Sequence, residues 1–190
     1  MRSSIGLCTS LMLALLFVSV TAAAAENEAG NMFEAEREKE PIPLLTESYP
    51  GLTLEQAYEI QSEYVILKLG GDKIAGYKAG LTSKGAQAKF GVSTPVSGVL
   101  FSSGKYAGHA SIDGSKYRSP VIETELGYVV GKPISVKIMD AALLMEHIGA
   151  ILPVVEIPET GFTDMKKLKA EDIVAANVGS AVFIAGVEKP

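Results

Sequence analysis

The chain has 190 residues, 47% of them hydrophobic and 21% charged, with a net charge of −5. That length supports one domain with a buried core, and the mild acidity offers no basic footprint, which excludes nucleic acid as a partner. The only cysteine is Cys8, so no disulfide framework exists.

Arg2 supplies a short positive start, and Leu11 to Val20 is apolar except for Ser19. Ala22 to Ala25 then provide small residues, with Ala23-x-Ala25 fitting a signal-peptidase site. Residues 1–25 are therefore read as a signal peptide cleaved after Ala25, which places the protein in the periplasm or outside the cell. An uncleaved membrane anchor is the alternative, although the apolar run is short for a spanning helix. After cleavage no stable membrane association is expected. Cys8 precedes the apolar run, so it is not a lipoprotein cysteine, and the mature chain would contain no thiol.

Residues 26–50 are polar and acidic and read as a disordered or loosely helical leader, closed by Pro41-Ile42-Pro43. A domain follows from residue 51. Thr53 with Gln56 has capping-box spacing, and Leu54, Ala57, Tyr58, Val65 and Leu69 recur at helical period up to Gly70-Gly71. Lys73 to Ala79 reads as a short strand carrying Lys78 in an apolar setting. A lysine there either snorkels to water or meets an anionic partner. Thr82 or Ser83 caps a short helix through Phe90, and Val99-Leu100-Phe101 is a strand. Ser102 to Ser119 is a Gly- and Ser-rich loop holding an exposed His109. Asp140 caps a helix to Gly149, on which Glu146 and His147 are vicinal and share no face, so they form no zinc motif. Pro158 to Lys169 is a loop, and Ala181 to Ala185 a strand.

The most informative stretch is Val121 to Val130. As a strand it puts Glu123 and Glu125 on one face, about 7 Å apart at their Cα atoms. Leu126, Tyr128 and Val130 imply a strand inside the fold. Two carboxylates side by side in a partly buried place require a positive neighbour, either a basic side chain or a hard divalent cation. Glu156, at the end of the apolar run from Ile151, is a third candidate, and three carboxylates facing one pocket would make a Mg²⁺ or Mn²⁺ site. The alternative is an exposed edge strand whose polar face carries two acids.

The string Gly76-Tyr77-Lys78-Ala79-Gly80-Leu81-Thr82-Ser83-Lys84, followed by Phe90-Gly91-Val92, Gly98-Val99-Leu100-Phe101, Glu123-x-Glu125 and Glu156, resembles a known family. It is similar to the 2-oxopent-4-enoate hydratases and 4-oxalocrotonate decarboxylases of the fumarylacetoacetate hydrolase superfamily. The resemblance runs from Leu52 to about Gly186 and implies an α+β fold, a mixed β-roll with peripheral helices, incomplete at the C-terminus of this chain. It implies Glu123, Glu125 and Glu156 as metal ligands, Lys78 as catalytic and substrate-binding lysine, and Leu81 and Ser180 as further substrate-binding residues. It also implies a small 2-oxo acid substrate, water addition to a 2-hydroxydienoate, and a homo-oligomer. A 4-oxalocrotonate-type decarboxylase, or an exported remnant that binds metal and 2-oxo acid without turnover, are the alternatives.

Three departures stand out. Pro95-Val96-Ser97-Gly98 lacks an acid that the family carries, Ile157-Pro158-Glu159-Thr160 replaces an Asp-Ser-Arg type segment, and Ala176 stands where an Asp precedes the Asn.

Overall fold

The computed structural model describes residues 22–189. The proposed signal segment before residue 22 lies outside the described residues. Three helices come first: α1 (Ala22–Arg37), the short α2 (Leu45–Ser48) and α3 (Leu54–Leu69). Strand β1 (Ile74–Gly80), α4 (Lys84–Phe90), β2 (Val96–Phe101) and β3 (Lys105–Ala107) follow. The chain then runs through β4 (Glu123–Val130), α5 (Ala141–Met145), β5 (Ile148–Ile157), α6 (Ala170–Ala175) and β6 (Val182–Ala185).

The polar stretch read as a disordered or loosely helical leader is helical up to Arg37 and again over Leu45–Ser48, and its first helix packs against the core. Ala25, Ala29 and Met32 recur at helical spacing and are buried in one cluster with Ile60 and Tyr64 of α3. Its acids are used as well: Glu28 accepts a 2.9 Å hydrogen bond from the Tyr49 hydroxyl, and Glu36 pairs with Lys68 at 2.9 Å. An apolar stripe that composition averages away is enough to order the segment. The expected cleavage point after Ala25 falls in the first turn of α1.

Helix α3 begins where expected. Thr53 Oγ1 accepts from the Gln56 amide at 3.3 Å, Gln56 Oε1 accepts from the Thr53 amide at 3.0 Å, and Gly70 ends the helix in the left-handed region at φ 43°. Its buried face is Ala57, Ile60, Gln61, Tyr64 and Val65, which together with α1, α6 and Val96 forms the core.

Strands β1 and β2 pair antiparallel, with Lys78 opposite Gly98. The second sheet runs β3-β6-β5-β4, parallel between β3 and β6 and antiparallel elsewhere, so the sheets are mixed as expected. Strand β3 falls within the region read as loop, where three residues pair along β6. The helix read from Asp140 to Gly149 is shorter: Asp140 caps it through the Ala142 and Leu143 amides, but Ile148 already belongs to β5.

Strand β4 departs from expectation. It is the edge of its sheet, and Leu126, Tyr128 and Val130 are exposed rather than interior, at 64%, 53% and 56%. Strand periodicity alternates them with Glu123 and Glu125, and Leu126 and Tyr128 reach the cavity that Tyr77 and Leu100 also line. Alternation reported which residues share a face but not which face is covered.

Candidate active site

The antiparallel register sets Glu123 directly opposite Glu156, and Glu125 opposite Val154. All three glutamates therefore share one face of the sheet. Glu156 also pairs in register with Phe183 of β6, which makes it interior, whereas Glu123 and Glu125 on the edge strand are exposed.

Strand β1 supplies the cation. Lys78 Nζ lies 2.5 Å from Glu156 Oε1 and donates to the Val178 carbonyl at 3.0 Å. The two side chains are 8% and 5% exposed, so the snorkelling reading fails and the buried-partner reading holds. The ammonium lies directly against Oε1, so the contact is a charge-assisted ion pair. Burial raises the Glu156 carboxyl above its ordinary pKa, Lys78 pulls it back down, and the negative charges of Glu123 and Glu125 push it up.

Lys78 is placed by close backbone approach. A Cβ on Gly98 would sit 2.8 Å from the Asn177 carbonyl oxygen and 3.2 Å from Lys78 Cγ, so only glycine fits between them. Asn177 is fully buried, and its side chain acts as a surrogate strand neighbour. Its Oδ1 accepts from the Val99 amide at 2.7 Å, and its Nδ2 donates to the Val99 carbonyl at 2.9 Å. Asn177 and Val178 both have positive φ, 52° and 53°, and this tight bend aims the Val178 carbonyl at Lys78.

A cavity of about 350 Å³ opens beside Lys78, lined by Glu123, Glu125, Leu81, Thr82, Glu159 and Gly179 among others. A second, of about 430 Å³, contains Glu156, Tyr77 and Tyr128 and shares Lys78, Ala79, Thr82 and Glu125 with the first. Leu81 lines the first cavity, at φ 52°. Ser180 does not. It is buried in a niche with Glu36, Tyr64, Lys68 and Arg118, and its carbonyl accepts from Lys68 Nζ at 3.3 Å. Its neighbours Val178 and Gly179 line the cavity in its place, because the bend at 177–179 turns Ser180 away.

Among the described residues no three acid, histidine or cysteine side chains are gathered closely enough to hold a metal ion. Three carboxylates on one sheet face, two of them exposed, are nevertheless the ligand type that suits a hard cation. Lys78 takes the cation's place on Glu156.

Glu159 was not anticipated as a cavity residue. It is buried, and its oxygens accept from the backbone amides of Arg118 at 2.6 Å, Ser119 at 2.8 Å and Gly161 at 3.1 Å. The Arg118 guanidinium approaches it at 3.5 Å. This anchor holds the 158–162 segment against the cavity. No sequence motif marks it, since two of its three backbone partners, Arg118 and Ser119, lie some forty residues earlier.

No family model matches the chain. It is 31% identical to a 4-oxalocrotonate decarboxylase of a Pseudomonas species over 159 residues, 83% of this chain and 60% of that protein. It is 28% identical to a 2-keto-4-pentenoate hydratase of Paraburkholderia xenovorans over 162 residues, 85% of this chain and 60% of that one. A solved structure of 4-oxalocrotonate decarboxylase from Pseudomonas putida, complexed with magnesium and adipate, superposes with a TM-score of 0.83 at 30% identity, covering 88% of this chain and 64% of that chain. The chain thus spans about three-fifths of the length of the relatives it matches.

Proposed function

We infer function from family: by sequence and fold the chain belongs with the 2-keto-4-pentenoate hydratases and 4-oxalocrotonate decarboxylases of the fumarylacetoacetate hydrolase superfamily. We propose that it is a metal-dependent hydro-lyase, adding water to a 2-hydroxydienoate or 2-oxoenoate. The observation that carries this reading is the Lys78–Glu156 ion pair at the junction of two cavities, with Glu123 and Glu125 beside it.

Glu123, Glu125 and Glu156 would hold Mg²⁺ or Mn²⁺, and magnesium and calcium accompany the two similar decarboxylase structures. A bound divalent ion would supply positive charge to the carboxylate and 2-oxo oxygens of the substrate, an electron sink for enolate chemistry. The chain's own groups do the rest. Lys78 Nζ, beside Glu156 Oε1, is a preformed cation for the substrate anion and can hold or release a proton there. In the overall change, the dienol hydroxyl proton is lost as a proton is gained at C5. The resulting 2-oxo-3-enoate gains water oxygen at C4 and hydrogen at C3, giving 4-hydroxy-2-oxopentanoate. Leu81 and the apolar side chains around Phe162 line the cavity in which the reacting chain would lie.

Decarboxylation is the second reading, favoured by the similarity to decarboxylase structures. It uses the same electron sink. The lack of an acid at Val96 and Ser97 favours a third, an exported binding protein without turnover. The substrates would be products of aromatic ring cleavage, and export through the N-terminal segment would place the work in the periplasm. The test is the purified full chain with Mg²⁺ and 2-hydroxypenta-2,4-dienoate, following loss of dienol absorbance. Protein-dependent loss with formation of 4-hydroxy-2-oxopentanoate supports the hydro-lyase. Release of CO₂ from 4-oxalocrotonate without hydration supports the decarboxylase, and binding without either supports the third reading.

A further inference from the structure

The bend that aims the Val178 carbonyl at Lys78 has three successive residues with left-handed backbone, Asn177, Val178 and Gly179, at φ 52°, 53° and 65°. For the β-branched Val178 that conformation is strained and persists only where its surroundings impose it. The inner end of the bend is fixed by the Asn177 side chain on Val99. Its outer end is Ser180, whose hydroxyl meets no hydrogen-bond partner among the described residues. The side chain that reaches Ser180 is Lys68, donating to its carbonyl at 3.3 Å. Lys68 is itself held. Its Nζ lies 2.9 Å from Glu36 Oε1 of α1 and stands over the Tyr64 and Phe101 rings at 5.3 and 5.2 Å. Tyr64 donates its hydroxyl to the other Glu36 oxygen, so the acceptor is fixed too. The Lys68 side chain is 15% exposed, which leaves its ammonium little freedom to turn to water.

Resting on the reading of Lys78 as the cation for the substrate anion, we propose that Lys68 is a positioning residue: clamped by Glu36, it fixes the outer end of the bend and so the place of the Lys78 ammonium. The route is short. The Ser180 amide bonds back to the Asn177 carbonyl at 3.0 Å, and that carbonyl is the one for which Gly98 leaves space beside Lys78. A Ser180 released by Lys68 therefore loosens the turn that carries the Val178 carbonyl. The three glutamates, paired in register on β4 and β5, do not depend on that turn. Loss of Lys68 should thus fall on anion binding and spare the metal. The acid that completes the clamp, Glu36, comes from the N-terminal helix, which gives that helix a part in the site without touching either cavity beside Lys78.

The test compares Lys68→Met and Lys68→Arg with wild type in the full chain. In calorimetry Lys68→Met should not weaken Mg²⁺ binding, whereas pyruvate in saturating Mg²⁺ should bind about ten-fold more weakly, the loss of one charge-assisted hydrogen bond. Lys68→Arg still carries donors for Glu36 and the Ser180 carbonyl and should recover to within about three-fold of wild type. A second readout needs no ligand: the melting temperatures of wild type, Lys68→Met, Lys78→Met and the double variant. If Lys68 acts through Lys78, the drop caused by Lys78→Met should be at least about 2 °C smaller in the Lys68→Met background. Glu36→Gln keeps an oxygen for Tyr64 and takes the place of Lys68→Met in both assays should that variant not fold. Additive drops, unchanged pyruvate affinity, or equal weakening of Mg²⁺ and pyruvate overturn the positioning role and leave the 2-oxo-acid site standing. Wild type that binds no pyruvate overturns the site reading, and the melting cycle then decides the positioning role alone.

Discussion

Lys78→Met removes the charge that faces Glu156 while keeping most of the side-chain stem. Lys78 Nζ is 2.5 Å from Glu156 Oε1 with both side chains nearly inaccessible, so the variant strands a carboxylate in a site that cannot hydrate it. Breaking a buried pair by deleting one partner costs about 3–5 kcal/mol. For a chain of this size that lowers the melting temperature by roughly 6–20 °C.

The pH dependence separates this cause from simple loss of packing. The Glu156 carboxyl is raised above its usual 4.5, first by burial, with Lys78 lowering it and Glu123 and Glu125 raising it. A raised carboxyl binds its proton more tightly in the folded state, so its contribution to stability is full below the unfolded pKa and is lost as pH rises through the folded one. Deleting Lys78 removes the group that lowers it, which deepens that loss and carries it to higher pH. Thermal melts of wild type and variant at pH 7.5 and 5 should therefore converge as the pH falls. Adding Glu156→Gln should recover much of the deficit, and Mg²⁺ at a hundred times its Kd should return about 2.7 kcal/mol. Equal apo melting temperatures at pH 7.5, or a deficit that persists undiminished at pH 5, would show that Lys78 does not neutralise Glu156.

Glu123→Gln should leave the fold intact, because the residue is exposed on the edge strand, yet abolish Mg²⁺ binding in calorimetry. It also removes one charge that raises the Glu156 carboxyl, so the fall in stability above pH 4.5 should shrink. Asn177→Ala strips two hydrogen bonds from Val99 and forces alanine into a positive φ; denaturant titration should show a loss of about 2–4 kcal/mol. Gly98→Ala drives a Cβ against the Asn177 carbonyl and Lys78 Cγ and should cost about 1–3 kcal/mol in the same assay, while weakening 2-oxo-acid binding through displaced Lys78.

Local rules carried the sequence reading far where the determinants were local. Thr53 and Gln56 cap α3 because a capping box is complete within four residues. Glu123 and Glu125 share a face because strand alternation is a property of the chain itself. What alternation could not supply was tertiary. It put Leu126 and Tyr128 inside, whereas β4 is an edge, and edge position depends on which strands pair elsewhere. It left the 26–50 segment as a disordered or loosely helical leader because averaging over its acids hid the Ala25, Ala29 and Met32 stripe, and that stripe has meaning only once α3 lies against it.

The site shows the same division. Lys78 and Leu81 stood out in a compact string, Glu123 and Glu125 in a two-residue repeat and Glu156 at the end of an apolar run, and the sheet register brings the glutamates to one face. Ser180 is turned from the cavity by a bend of three residues, Asn177–Gly179, whose left-handed backbone suits Asn177 but not the β-branched Val178. That conformation is held from outside, by the Asn177 side chain bonded to Val99 of a distant strand and by the space that Gly98 leaves. The same contacts aim the Val178 carbonyl at Lys78 and carry Ser180 off toward Tyr64 and Lys68. Asn177 and Ser180, three positions apart, thus end in different environments because a glycine seventy-nine positions before Asn177 admits its backbone. That coupling lies beyond any window of sequence, and it makes Gly98, not Ser180, the residue through which this segment acts on the site.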